Sequence, residues 1–436
     1  MNSKKEFLAR PAGITRREAL AGAAALGLGL GCPAARAQLD IEITGVGSNL
    51  FPIAVPAFSG GKQAPVDIAS VISSDLARSG KFRLTGPKDE IPYSQTLSPT
   101  ADFFASSGAN AAVAGAVAAK GAGSWTITVK LFDTVNGQVT DSVSLASTSS
   151  NLRLTAHRIA DRIYEKLTGI PGCFASRIAY IQQRGKTYEL VIADSDGETP
   201  RVALRSREPI ISPAWSPNGA QVAYVSFEAR KPVVFVHELS TGRRRAVAQF
   251  RGNNSAPAFS PDGKTLALAL SRDGGTQIYL MGATGGTPRK FTSGYGINTE
   301  PVFSPDGAWL YFTSDRGGAP QIYRQRISGG AASRVTFGVS YAVSPALSPD
   351  GKKLAFVSRT ARGFMVCVME LATGAVLTVS KSGGDESPSF SPNGELVLYA
   401  ANKGALECAC ADGKATTRLS SRGGSIREPA WGPLIK

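Results

Sequence analysis

Pro257-Ala-Phe-Ser-Pro-Asp-Gly263 is the stretch from which the fold of this 436-residue chain can be read. The same pattern, Pro-x-(aromatic or Leu)-Ser-Pro-(Asp or Asn)-Gly, begins again at Pro213, Pro301, Pro345 and Pro388, and a degenerate copy begins at Pro429. Successive copies lie 44, 44, 44, 43 and 41 residues apart. A period of about 40–45 residues with strand-and-turn content is that of a β-propeller, one repeat per four-stranded blade. Within the motif, Pro is tolerated at the first residue of a strand, the aromatic or Leu fills the space between blades, and Ser-Pro-Asp-Gly makes a tight turn. Asp262, Asp306 and Asp350 occupy a slot that Asn218 and Asn393 also fill, so the slot needs a turn former and not a charge.

Reading outward from Pro257, strand b is expected at Thr265 to Leu270, strand c at Gln277 to Met281, and strand d near Pro288 to Phe291. Units of this kind run from Pro213 to about Leu419. Before them, Arg177 to Ile181, Tyr188 to Ala193 and Arg201 to Leu204 supply strands b, c and d without an a. After them, Pro429-Ala-Trp431 supplies an a alone. The two fragments complete one blade, which predicts a six-bladed ring closed by the C-terminal strand and so free of exposed edges. Such a propeller is expected over residues 173–436.

Residues 38–172 hold no repeat and read as a small α/β domain. Phe51 to Phe58 is expected to be a strand, and Val66 to Arg78 a helix with Ile68, Val71, Ile72 and Leu76 on one face. Strands follow at Ala111 to Ala118, Trp125 to Phe132 and, after the Asn136-Gly137 turn, Gln138 to Leu145. Asn151 is placed to cap a second helix that Gly169 ends. Ahead of this domain, Gln38-Leu39-Asp40-Ile41-Glu42-Ile43 alternates apolar and polar beside Gly45 and Gly47. It reads either as the first strand of the domain or as a mobile strand able to add to a partner's sheet edge.

Residues 1–37 have the pattern of a cleaved export signal. A basic stretch precedes the apolar run Ala19 to Leu30, and Ala35-Arg36-Ala37 is a small-x-small cleavage site. Thr15-Arg16-Arg17 resembles a twin-arginine signal, and Cys32 offers the competing lipoprotein reading. No later segment has about 18 consecutive apolar residues, so no transmembrane span is expected. The net charge of +15 suits anionic envelope surfaces or acidic proteins, and an exported chain has little occasion to meet nucleic acid. Cys173, Cys367, Cys408 and Cys410 are left after cleavage. Cys367 reads as a small buried hydrophobe, and the pairing of the others is open.

Nothing in the chain assembles an enzyme. His157 and His237 are the only histidines, they fall in different domains, and neither has a His, Cys or carboxylate at metal spacing. There is no phosphate loop and no Gly-x-Ser-x-Gly elbow, and no room after the last motif for the hydrolase domain that some propellers carry. The reading is non-catalytic, without cofactor or metal. In a propeller the d-to-a connections surround the channel on the face opposite the Ser-Pro-Asp-Gly turns. This places Asn253, Asn254, Ser255 and Ala256, with Asn298, Thr299, Glu300, Ser344, Glu386 and Glu428, on a candidate binding face. A small ligand, carbohydrate or peptidoglycan in the channel is the alternative use of such a ring.

The combination becomes specific at Ser74-Asp-Leu-Ala-Arg-Ser-Gly-Lys-Phe82, Glu165-Lys-Leu-Thr-Gly-Ile170, Ser212-Pro-Ala-Trp-Ser-Pro217 and Asn298-Thr-Glu-Pro301. With the export signal and the Ser-Pro-Asp-Gly repeats, these make the chain resemble the TolB family of periplasmic Tol-Pal proteins from Gln38 to its end. The resemblance implies a monomeric protein-binding scaffold. Its propeller face would hold the lipoprotein Pal at Asn253 to Ala256 and Asn298 to Glu300, and its strand Gln38 to Ile43 would hold the C-terminal domain of TolA. Other peptidoglycan-associated outer-membrane proteins are further partners it suggests. Asn253 stands where well-known members have a histidine.

Overall fold

The computed structural model describes residues 50–419 and 424–435, together with the backbone of Ile43 and Thr44. Six antiparallel sheets follow one another from Ser176, each with four propeller strands, and the sixth carries Ile43–Thr44 as an added fifth. Blade 1 takes its strands b, c and d from Ser176–Arg184, Thr187–Asp194 and Arg201–Ser206, and its strand a from Ser425–Leu434. Blades 2 to 6 begin at Ile210, Asn254, Asn298, Ala342 and Glu386. The C-terminal strand thus closes the ring as the strand count requires. Trp431 seals it: its Nε1 donates to Ser176 Oγ at 2.8 Å within blade 1, and its backbone N donates to Ser389 Oγ of blade 6 at 2.9 Å.

The motif turn is held by side chains. In blade 3, Ser260 Oγ donates to Asp262 Oδ1, which accepts from the Lys264 amide at 3.0 Å, while Ser260 Oγ accepts from the Thr265 amide at 3.0 Å. Asn218 and Asn393 accept from the corresponding serines at 2.7 and 2.8 Å, so the oxygen matters and not the charge. Gly263 has φ +71°, and a β-carbon on it would meet Pro217 of the preceding blade at 3.5 Å. Turn geometry and blade-on-blade contact both bear on this glycine. Gly219 meets Pro433 in the same way at 3.1 Å, so Trp431-Gly-Pro433 stands in for a motif where the ring closes.

Strand a does not start at the motif proline, as the sequence suggested. Asn254–Phe259 and Asn298–Phe303 begin three residues earlier. The ladder tolerates the proline because the register slips there, between Ser255 and Ala258 and between Thr299 and Val302. Strand a also lines the channel, where no further strand needs its N–H.

The α/β domain has a five-stranded sheet in the order Phe82–Thr85, Phe51–Ala54, Ala111–Ala119, Ser124–Asp133, Gln138–Thr148. The first expected strand stops at Ala54, short of Pro56. The helices Ile68–Arg78 and Leu152–Thr168 pack together on one face. The first starts two residues later than the apolar spacing suggested, because Asp67 caps it by accepting from the Ser70 amide at 3.1 Å. Asn151 precedes the second without a side-chain capping bond, and Gly169 ends it at φ +72° with its amide on Glu165 O. The opposite face of the sheet is covered by Tyr93–Leu97 and Ala101–Phe104, which sequence periodicity did not reveal because each is too short for a repeat.

One continuous apolar core runs from Val71, Ile72, Ile159 and Ile163 through Cys173 and Phe174 into Ile178, Leu396 and Leu406 of blades 1 and 6. The α/β domain therefore docks on the propeller, and it does so on the motif-turn face. Lys81 pairs with Glu395 at 3.0 Å, and Asn393 Nδ2 donates to Pro171 O at 2.9 Å. Cys173, Cys408 and Cys410 are buried in this interface and Cys367 in blade 5; all four are free thiols. Burial pushes the Cys410 thiol up to about 11, so it stays protonated. Among the described residues no helix is long and apolar enough to cross a membrane.

Candidate functional site

Six residues immediately before the motif prolines take the same unusual backbone. Ser212, Ala256, Glu300, Ser344, Ser387 and Glu428 have φ between +48° and +55°. None is glycine, and the left-handed region costs an L-residue about 1–2 kcal/mol. Six copies of one strained residue, set around the channel, are a built feature and not an accident of a loop. They surround a cavity of about 730 Å³ at the channel mouth, with the motif prolines and Glu386 beside them.

The carboxylates among them reach between blades. Glu300 Oε1 accepts from Ser344 Oγ at 2.8 Å, and its Oε2 accepts from the Ser344 amide at 2.9 Å and from Thr313 Oγ1 at 2.7 Å. Glu428 does the same across the ring closure by accepting from the Ser212 amide. Burial pushes the Glu428 carboxyl up; the Ser212 amide opposes this, and the nearby Glu386 and Glu300 add to it. Glu386 is raised by burial against the pull of Arg427.

Apart from Asn253, which precedes its strand, the sequence-chosen residues are strand residues and not connections, and they divide into two sets. Asn253, Ser255, Ala256, Thr299, Glu300, Ser344, Glu386 and Glu428 are half-buried on the channel side. Asn254 and Asn298 are fully buried. Asn254 donates to Pro232 O, Phe250 O and Gly252 O and accepts from the Phe250 amide. Asn298 donates to Gln277 of blade 3 at 2.8 Å and accepts from Arg316 of its own blade at 2.6 Å. These two act on the face through the backbone they hold.

Sequence reasoning passed over the apolar groups of the same face. Tyr295 is 97% exposed, Phe337 65% and Ile297 53%, all in d-to-a connections. Phe364 lines the channel mouth, with its ring 5.6 Å from that of Tyr341. The flanking glycines, Gly294 and Gly296 around Tyr295 and Gly338 after Phe337, were the available signal: an aromatic inside a glycine turn has no core to fill.

At the N-terminus, Ile43 and Thr44 pair antiparallel with Thr417 and Thr416 on the outer edge of blade 6, and not with the α/β sheet. Gln38 to Glu42 of the expected strand, and the export signal, lie outside the described residues.

A second polar cluster was invisible in the sequence. His157, read there as having no carboxylate at metal spacing, has Asp75 at 2.6 Å from Nδ1 and Asp196 and Asp194 at 3.9 and 4.0 Å from Nε2. The carboxylates come from a helix 82 residues away in sequence and from a propeller turn. No spacing rule links them. Asp75, His157 and Asp196 have the composition of a metal site, but Arg78 pairs with Asp75 at 2.8 Å and Arg153 pairs with Asp196. Two guanidinium groups already supply the positive charge an ion would bring.

Comparison with known proteins matches this architecture over nearly all its length. The family model of the TolB beta propeller domain covers residues 164–435, and that of the TolB amino-terminal domain covers residues 39–140. A Tol-Pal system protein TolB from Azoarcus sp. (strain BH72) is 60% identical over 90% of this chain and 93% of its own. Another from Albidiferax ferrireducens is 58% identical over 93% of this chain and 96% of its own. The crystal structure of TolB from Acinetobacter baumannii superposes with a TM-score of 0.82 at 37% identity, covering 91% of this chain and all of that one. With both domains, their order and the closing strand shared at this level of identity, the chain belongs to the TolB family of Tol-Pal system proteins.

Proposed function

We propose that this protein is a non-catalytic periplasmic scaffold that links TolA at the inner membrane to the lipoprotein Pal at the outer membrane, in support of envelope integrity and cell division. The observation that carries the reading is the asymmetry of the ring. The motif-turn face is occupied by the α/β domain, while the opposite face presents half-exposed strained residues around the channel and exposed aromatics at its rim. A rigid polar centre with Tyr and Phe anchors beside it is how protein-binding surfaces are built. Fixing six positive-φ residues in advance lowers the ordering cost of binding. TolA is assigned to the segment Gln38 to Ile43, whose last residue, with Thr44 after it, already pairs as an added edge strand.

Binding of purified Pal to the exported chain tests the first assignment. Thr299→Arg, which sets a bulky cation on the channel side, and Tyr295→Ala, which removes a rim anchor, are each expected to weaken it by about tenfold or more. Thermal unfolding should be unchanged for Tyr295→Ala, since that side chain is almost wholly exposed. Undiminished affinity in both variants removes this face from the model. Removing residues 38–44 should abolish binding of the TolA domain and leave the fold intact.

A further inference from the structure

His157 lies where the two domains meet. Helix 68–78 contributes Asp75 and Arg78, helix 152–168 contributes Arg153, His157 and Asp161, and the end of strand c of blade 1 contributes Asp194, with Ser195 and Asp196 from the turn that follows. His157, Asp75, Arg78 and Asp196 are at most 3% exposed. Arg78 crosses the interface by donating to Ser195 O at 2.6 Å, and Arg153 crosses it to Asp194 at 3.2 Å. Asp161 completes the surroundings, accepting from the Phe174 and Ala175 amides at 2.6 and 3.0 Å. The buried thiols of Cys173 and Cys408 also face Arg78 in the cluster.

Two features distinguish the ionisation states of His157. First, Nδ1 is bonded to Asp75 while Nε2 has no hydrogen-bond partner. In a neutral imidazole with the proton on Nδ1, the Nε2 lone pair faces the Asp194 and Asp196 carboxylates about 4 Å away. A second proton turns that repulsion into an ion pair. Second, the two arginines match only two of the three carboxylates Asp75, Asp194 and Asp196, so an imidazolium supplies the third positive partner.

We infer that His157 is a proton-operated latch between the α/β domain and the propeller. Its imidazolium ties Asp75 on one side to Asp194 and Asp196 on the other, and loss of the proton loosens the docking. Burial alone would lower the pKa of His157, but the Asp75 carboxylate, with help from Asp196 and against Arg153, raises it above 6.5. The contribution of such a raised group is complete below the undocked pKa and is lost as pH rises through the docked one. Burial pushes Asp161 up to about 6, which works in the same direction, because its neutral form is also the one the docked state favours.

The chain has only two histidines, so NMR of the full chain carrying histidine labelled at Cε1 yields two signals, assigned with His237→Gln. The His157 signal should titrate above 6.5, whereas burial and Arg244 place His237 below it. Hydrogen exchange of peptides 68–79, 152–169 and 193–199 is the second readout, with blade 3 as control. Each unit by which docking raises the pKa is worth about tenfold in the docking equilibrium. Exchange in these peptides, corrected for intrinsic chemistry, should therefore rise between about pH 6 and about pH 9 by the factor that the measured His157 midpoint sets, with blade 3 unmoved. His157→Gln should remove that dependence. A His157 midpoint at or below 6.5 overturns the inference whether or not the variant folds. A midpoint above 6.5 with pH-independent interface exchange overturns it as well.

Discussion

The residue before each motif proline carries more of this molecule than its identity suggests. Ala256 sits at φ +48° with no side-chain hydrogen bond to repay the strain, whereas Glu300 and Glu428 at the same position bond to the next blade. Ala256→Gly should therefore stabilise the fold by about 0.5–1 kcal/mol, as the relief of left-handed strain outweighs the added freedom of the unfolded chain. Chemical denaturation measures it, and a lower midpoint would show that the backbone there is unstrained. Glu300→Gln should cost little, because an amide oxygen still accepts from Ser344. Arg78→Ala is the opposite case. It leaves Asp75 buried beside a single histidine, and breaking a buried pair from one side costs about 3–5 kcal/mol.

Among the elements, the C-terminal strand Ser425–Leu434 has the largest structural consequence for its length. It pairs with Ser176–Arg184 and packs on strand a of both neighbouring blades. Removing Glu428 to Lys436 takes away Trp431, Pro433 and the Glu428 bond to Ser212 together. The truncated chain should melt well below the full chain by circular dichroism, and an unchanged transition would mean that blade 1 closes without it. Trp431→Ala alone should cost about 3–5 kcal/mol, the usual loss for a buried tryptophan. The strands themselves were legible in the sequence. Thr265–Leu270 has the expected limits because its turns on both sides are spelled out by Gly and Pro. The limits of strand a were not, since a proline inside a strand argues against pairing unless a bulge at the channel edge excuses it.

For the whole molecule, docking divides the propeller into an occupied face and a free one. The occupied face carries the Ser-Pro-Asp-Gly turns, and Asn393 and Glu395 of blade 6 are spent on contacts to the α/β domain. The free face keeps the strained ring and the aromatic rim. Blades 1 and 6, which reach from one face to the other, share one apolar core with helices 68–78 and 152–168. Lys81→Glu faces Glu395 with a like charge. It should shift interface hydrogen exchange upward without lowering the stability of blades 3 and 4.

The repeat by itself determined the blade count and the closing strand, because turn chemistry and a fixed period are local properties that Pro, Gly, Asp and Asn spell out in order. Only the tertiary structure decided that Asn254 and Asn298 are buried braces, that Tyr295 and Phe337 form an exposed rim, and that His157 meets Asp75 and Asp196. Those outcomes depend on which surfaces come together when two separate domains dock. No local pattern encodes that contact, since each of its residues obeys only the rules of its own helix or turn.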